Sequence, residues 1–261
     1  MVSETANGEI WRSAKNYELW GTLSWSEIRQ RYRRTTIGPF WLTLSLGVTI
    51  FAIGILYAGL FASNPSRYIP YLASGTIVWT LLSGVIIEAC NVFISAAGLI
   101  KSSTLLLPNY LFRLIWKNVI IFGHNILILP VLWLIFGVPN LLVALLAIPG
   151  LAIDIVVLLG AALTLSVVCT RFRDAPQIVA AMIQLAFFVT PIVWLPEGLR
   201  ASRLVITLNP MNYLVAIVRE PLLGQAPDLS VWLTALSLAL VSVAIGAVFY
   251  GRFRHRIAYW L

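Results

Sequence analysis

The chain has 261 residues, 60% of them hydrophobic and only 11% charged, with a mean hydropathy of +0.90. A soluble domain carries about 25% charged and about 45–50% apolar residues, so a water-soluble fold is excluded and an integral membrane protein is implied. The net charge of +8 and the pI of about 9.9 would point to nucleic acid in a soluble chain; here the placement of the charge says more than its sum.

Residues 1–38 contain no apolar core of the kind a signal peptide needs. Ser24 and Glu27 in "SWSEI" form an S-x-x-E capping box, with Leu23 and Ile28 placed as a hydrophobic staple. This predicts a helix beginning at Ser24, separated from an earlier piece by a break near Gly21–Ser24. Trp25, Ile28 and Tyr32 fall on one side of it and the remainder is basic, the pattern of an amphipathic helix lying in the membrane interface. The stretch "RQRYRRTTIGPFW" then sets Arg29, Arg31, Arg33 and Arg34 directly against an apolar run. Gly38-Pro39 punctuates the chain there, and Pro39 suits the first turn of the next helix.

A crossing needs about 20 apolar residues. Six segments qualify as candidates: 39–61, 70–97, 115–136, 141–169, 176–194 and 229–250. The fourth contains Pro149-Gly150 and Asp154, so a bend or a late start is expected. With both termini in the cytoplasm, the outer segments hold only Arg67, Arg200, Arg203 and Arg219, and the inner ones hold the other fourteen of the eighteen Lys and Arg. The positive-inside rule favours that orientation. Residues 195–228, between spans five and six, contain two apolar stretches of 10–13 residues opened by Pro196 and Pro210. They are too short to cross, and read as a re-entrant hairpin capping a pathway near the outer face; an amphipathic surface loop is the alternative.

The chain has no phosphate-binding G-x-x-x-x-G-K-[ST] loop, no H-E-x-x-H, no cysteine cluster and no G-x-S-x-G elbow. No catalytic residue and no metal site are expected. Cys90 and Cys169 read as small buried hydrophobes. The ionisable residues within the spans are Glu88, Asp154 and His124. The two acids could form a proton relay, but are better read as hydrogen-bonded inside the bundle or at a subunit contact, and His124 beside Asn125 as a packed polar pair. The chain therefore either conducts passively or borrows energy from a partner. Two inner loops favour a partner: "KSSTLLLPNYLFR", with its apolar centre Leu105–Leu107, and "TRFRDAP", with its tight charge alternation. Apolar groups exposed in such loops mark a docking surface.

The segments "EIRQRYRRTTIGPFW", "GLIKSSTLLLPNYLFRLIWKN", "RFRDAPQIVAAMIQLAFFVTPIVW" and "LNPMNYLVAIVREPLLG" occur in this order from about residue 17 onward. Together they resemble the transmembrane subunits of bacterial polysaccharide ABC exporters. These are ABC-2-type permeases that carry O-antigen, capsule or teichoic acid, and the first segment is most similar to the O-antigen branch. The resemblance implies an all-α membrane protein with a cytoplasmic N-terminus and interfacial helix (1–38) and a single six-span domain (39–261) carrying a re-entrant hairpin. It implies a homodimer with two copies of a separate ABC ATPase, which binds ATP and Mg, so this chain has no cofactor of its own. The substrate would be a polysaccharide linked to undecaprenyl diphosphate, crossing the bacterial inner membrane for lipopolysaccharide biosynthesis.

On that reading Arg31, Arg33 and Arg34 stand at headgroup depth and could receive the lipid diphosphate, since a guanidinium binds phosphate oxygens bidentately; orientation of the chain and contact with anionic lipid explain them equally. Aromatic rings offer sliding surfaces for sugars, and Phe40, Trp41, Phe51, Tyr57, Phe187 and Phe188 are candidates, though helical spacing puts those of the first span on different sides. Lys101, Leu105, Leu106, Pro108, Arg171, Arg173 and Asp174 would couple the chain to the ATPase. The rivals are an ABC-2 permease for a drug or lipid, a membrane-embedded enzyme or assembly subunit, and a secondary carrier. The last two lack a convergent catalytic cluster and an internal repeat respectively.

Overall fold

A computed structural model describes residues 5–32, 38, 40–60, 64–102, 105–196 and 203–261. Among these the chain forms thirteen helices and no strand: α1 (Ala6–Lys15), α2 (Tyr17–Tyr32), α3 (Phe40–Leu60), α4 (Pro65–Ser95), α5 (Ala97–Ser102), α6 (Leu107–Asn125), α7 (Ile128–Phe136), α8 (Leu141–Ala144), α9 (Ala147–Arg171), α10 (Ala175–Val189), α11 (Arg203–Leu208), α12 (Pro210–Leu222) and α13 (Leu229–Trp260). The starts follow local chemistry. Asn64 and Asn209 accept from the amides of Ser66 and Met211, and each is followed by a proline at the first helical position. Gly137, at φ 107°, ends α7, and Asn140 caps α8.

Among the described residues, five stretches are long and apolar enough to cross a membrane: Phe40–Gly59, Pro65–Ser95, Leu107–Phe136, Leu141–Arg171 and Leu229–Trp260. They coincide with the first four and the last of the predicted spans. The third begins at Leu107 rather than at residue 115, and the last runs on to Trp260. The fourth is interrupted at residues 145–146, ahead of Pro149-Gly150. The predicted span 176–194 corresponds to α10, which has 15 residues and a length of about 22 Å at 1.5 Å per residue. The chain continues without helix from Thr190 to Pro196.

α4 is the central helix and α3 a peripheral one: 61% of the apolar window of α4 is buried within the chain, against 11% for α3. α9 and α13 approach closest, backbone to backbone. A Cβ on Gly160 would fall on the main chain of Ser242 and Val243, and one on Gly246 would lie 2.6 Å from the Gly160 carbonyl oxygen. Gly150 meets α12 in the same way: a Cβ there would lie 2.6 Å from the Ile217 carbonyl oxygen. Small residues that let backbones touch are the usual means of helix pairing where hydrophobic driving force is absent.

The predicted break near Gly21–Ser24 does not occur. α2 is continuous through it, and the chain breaks at Asn16 instead. The Ser24 hydroxyl lies 2.6 Å from the Trp20 carbonyl and 2.8 Å from the Arg113 carbonyl of α6, so it does not cap. Glu27 turns to Lys117 rather than back to the Ser24 amide. Trp25 and Ile28 do not share an environment: Trp25 is 55% exposed and Ile28 4%. The face that docks on α6 is Trp20, Ser24 and Ile28, with the Trp20 ring stacked on Phe112 and edge-on to Trp116.

Gly160→Val should therefore separate α9 from α13 and lower the thermal midpoint of the detergent-purified chain, because backbone cannot yield as a side chain does. The cost should exceed the ~1–3 kcal/mol of ordinary overpacking. Gly123→Ala is the control: a Cβ there meets nothing within 4 Å, so the midpoint should hold or rise.

Candidate functional site

One end of the bundle carries its charge in a closed network. Lys117 of α6, buried, lies 2.9 Å from Glu27 of α2 and 2.6 Å from Glu88 of α4. Arg113 adds a longer contact to Glu27 at 3.6 Å, and the Asn118 side-chain amide donates to Glu88 at 3.2 Å. Two cations against two carboxylates leave the cluster neutral, which is the condition for holding ionised groups away from water. It fastens α2 and α4 to α6. Nearby, Glu9 of α1 accepts from the Tyr250 hydroxyl and pairs with Arg254, both at 2.8 Å, fastening α1 to α13.

Glu88 is thus hydrogen-bonded within the bundle, as its sequence context predicts, and is committed to Lys117 and Asn118 rather than to a relay. Asp154 differs: it is fully buried, yet neither oxygen has a hydrogen-bond partner among the described residues. The expectation of a hydrogen bond or a subunit contact fails for it, since it sits inside the chain between packed helices. His124 Nδ1 donates to the Ile120 carbonyl at 2.8 Å, and Asn125 accepts from Thr43 of α3 at 3.3 Å, so this polar pair is packing. Cys90 and Cys169 are buried free thiols, and the Cys90 thiol donates to the Ile86 carbonyl at 3.3 Å. No group of three or more His, Cys, Asp or Glu among the described residues could hold a metal.

The predicted coupling residues lie in two connections on this same side. Lys101 lies in the last turn of α5, which touches α13, and is exposed; Leu105 is exposed, Leu106 half-buried, and Pro108 buried in the first turn of α6. Arg171, Phe172, Arg173 and Asp174 are all exposed in the turn between α9 and α10. The Arg171 guanidinium lies over the Trp260 ring at 5.7 Å, which brings this turn beside the end of α13. The result is a surface with exposed apolar and basic groups around a rigid, charge-paired base.

The predicted aromatic set is not gathered into one wall within a single chain. Phe40 and Trp41 are exposed on α3, Phe40 edge-on to His124 at 5.6 Å. Phe51 is half-buried against the main core and Tyr57 against Ala58, Tyr68 and Leu72. Phe187 contacts Trp79 at 5.6 Å and Phe188 at 5.5 Å, and Phe188 projects outward. Of the arginines assigned to the diphosphate, Arg31 lies in the last turn of α2, and Arg33 and Arg34 lie outside the described residues. The Glu27–Lys117–Glu88 network escaped sequence reasoning. Its signal was Lys117 itself, a cation set in "FRLIWKNVIIF" that requires an acidic partner from another helix.

Among the described residues, five crossing-length stretches, one of them the buried central α4, with a paired charged base on one side, define a multi-pass membrane protein. A family model for ABC-2 type transporters matches residues 18–223, most of the chain, which therefore belongs to the ABC-2 type transporter family. It is the membrane permease component of an ABC transporter, and the family works with an ATPase subunit. No curated protein matches the chain.

Lys117→Met should leave Glu88 with only the Asn118 amide and Glu27 with only the longer Arg113 contact, and destabilise the chain by about 3 kcal/mol, the lower end for a broken buried pair because both glutamates are partly exposed. Adding Glu88→Gln should recover part of that loss. The thermal midpoints of the single and double variants, compared at one pH and salt concentration, check both.

Proposed function

We propose that this chain is the channel-forming subunit of an ATP-driven exporter that moves polysaccharide linked to undecaprenyl diphosphate, O-antigen before capsule or teichoic acid, across the bacterial inner membrane. It acts as a homodimer with two ATPase subunits, both termini cytoplasmic. The observation that carries this reading is the ABC-2 family match over residues 18–223, joined by the ordered segments that resemble polysaccharide exporters.

Physical arguments support its parts. α10 and the non-helical residues 190–196 together serve as the sixth crossing. Irregular backbone at such depth is tolerated where protein covers it, and Thr190, Pro191 and Ile192 are all buried. α11 and α12, of 6 and 13 residues, are the re-entrant pair. The exposed faces of α3 and α10, which carry Phe40, Trp41 and Phe188, are the surfaces a second copy and a glycan would meet. Arg31, Arg33 and Arg34 receive the diphosphate at the membrane surface, where a fork of donors binds phosphate oxygens in pairs. Lys101, Leu105, Leu106, Pro108, Arg171, Arg173 and Asp174 meet the ATPase.

The test is reconstitution of the chain with its cognate ATPase subunit in vesicles with fluorescent lipid-linked polymer. ATP-dependent movement of polymer is expected with both subunits and none with this chain alone. Movement of drug or phospholipid without polymer would refute the substrate assignment. Because both native cysteines are buried, Leu105→Cys and Asp174→Cys can be cross-linked selectively; both should join to the ATPase, and reaction with lipid alone would remove them from the coupling surface.

A further inference from the structure

At the end of the bundle away from Lys117, the first turns of α4, the end of α7, the chain at 195–196 and the end of α12 enclose a cavity of about 530 Å³. That is the size of a small-molecule site, roughly 300–1,000 Å³. Its walls include Arg67, Tyr71, Trp133, Arg219, Glu220 and Gln225. Two other hollows of similar size, between α9 and α13 and between α3 and α7, are almost wholly apolar, as surfaces wetted by lipid tails should be. The first is polar and aromatic, and calls for a different occupant.

Its centre is Arg219. This side chain is 5% exposed, donates from Nη1 to the Pro191 carbonyl at 2.6 Å, and lies over the Tyr71 ring at 4.4 Å. Nε is buried with no partner, and no described carboxylate forms an ion pair with the guanidinium. A guanidinium has five N–H donors, and among the described residues this one donates to the Pro191 carbonyl. Burial pushes the carboxyl of the adjacent Glu220 above the ordinary carboxylate range, with Arg219 opposing and Asp228 reinforcing the shift. The cavity thus has a buried cation with no ion-paired carboxylate among the described residues, and its lining includes the rings of Tyr71, which carries the guanidinium on one face, and Trp133.

We propose that this cavity is a binding site for a single sugar unit bearing a carboxylate or phosphate. Arg219 takes the anionic group, and Tyr71 and Trp133 take the C–H face of the ring. The proposal rests on the exporter reading only for the direction the cavity faces, toward the outer side of the membrane; binding to the isolated chain requires no transport.

The experiment uses the full-length chain in phosphatidylcholine nanodiscs, with glucuronate, glucose 1-phosphate, glucose and inorganic phosphate as probes, read by saturation-transfer NMR and by thermal midpoint. The two anionic sugars should bind at least about tenfold tighter than glucose and tighter than inorganic phosphate. Arg219→Gln should abolish the preference. Gln225→Glu changes an exposed residue on the rim, so it should keep the fold while lowering anionic-sugar affinity severalfold, and it covers the case in which Arg219→Gln does not fold. Equal binding of glucose and glucuronate, inorganic phosphate binding as tightly as glucose 1-phosphate, or an unchanged affinity in Gln225→Glu would each overturn the site. In nanodiscs containing phosphatidylglycerol the binding should persist; its loss would assign the guanidinium to lipid headgroups and overturn the sugar. A chain that binds glucuronate yet exports no polymer refutes only the transport reading, and the reverse refutes only this one.

Discussion

A peptide group in hydrocarbon has no water to bond to, and leaving its N–H or C=O unpaired costs more than most side-chain contacts return. Helices meet that demand internally, so the informative places are those where the helix stops. At residues 126–127 and 145–146 the ladder is carried across by shifted backbone bonds, such as Leu127 to His124 and Leu146 to Val143. After α10 it is not. There the carbonyls are met by side chains from elsewhere: the Tyr71 hydroxyl and Arg219 on Pro191, and the Tyr68 hydroxyl on Val193. Asn209 donates to Thr190 at 2.9 Å and so ties the start of α12 to the same turn. The irregular segment survives because α4 and α12 bring donors to it. The arrangement of that end of the bundle follows from this need.

The two ends solve the problem of charge in opposite ways. Around Lys117, cations and carboxylates are matched and reinforced by Asn118, so the cluster closes on itself and makes a stiff base for α2, α4 and α6. Around Arg219, the cation is held by a carbonyl and an aromatic face, partners that orient it without neutralising it. A closed network has little left for a ligand, whereas a cation satisfied only in part retains attraction for one. The difference between the ends is one of spare valence, not of charge count, and it would be missed by any tally of arginines and acids.

Hydropathy sees apolar runs, and therefore the membrane class and most spans were legible. It does not see where a hydrogen-bond ladder ends. Residues 176–194 read as one apolar run, but Pro191 has no N–H to offer and disfavours helix in the residue before it, and α10 stops accordingly at Val189. That signal was present in "VTPIVW" and was outweighed by length. The capping box at Ser24 is a different kind of miss. The motif states a local preference worth about 1 kcal/mol, and docking of Trp20, Ser24 and Ile28 on α6, with Glu27 drawn to Lys117, outweighs it. Partners such as Glu27 with Lys117 and Arg219 with Pro191 are 90 and 28 residues apart, and no periodicity in one chain segment encodes them.

The distribution of packing also separates what is fixed from what is free to move. α9 and α13 meet backbone to backbone at Gly160 and Gly246, and α4 is enclosed by its neighbours, so these three behave as a body. α3 is held along one narrow side, and α10 ends at a turn whose carbonyls are pinned while the face carrying Ile178, Met182, Leu185 and Phe188 is exposed among the described residues. On the proposed reading, a conduit lined by α3 and α10 of two copies would be walled by the least anchored helices of each. Widening it would break few contacts within a subunit, whereas moving α9 against α13 would break many. A permease driven from one side needs that separation: a stiff base to receive the push, and a wall that yields to it before the core does.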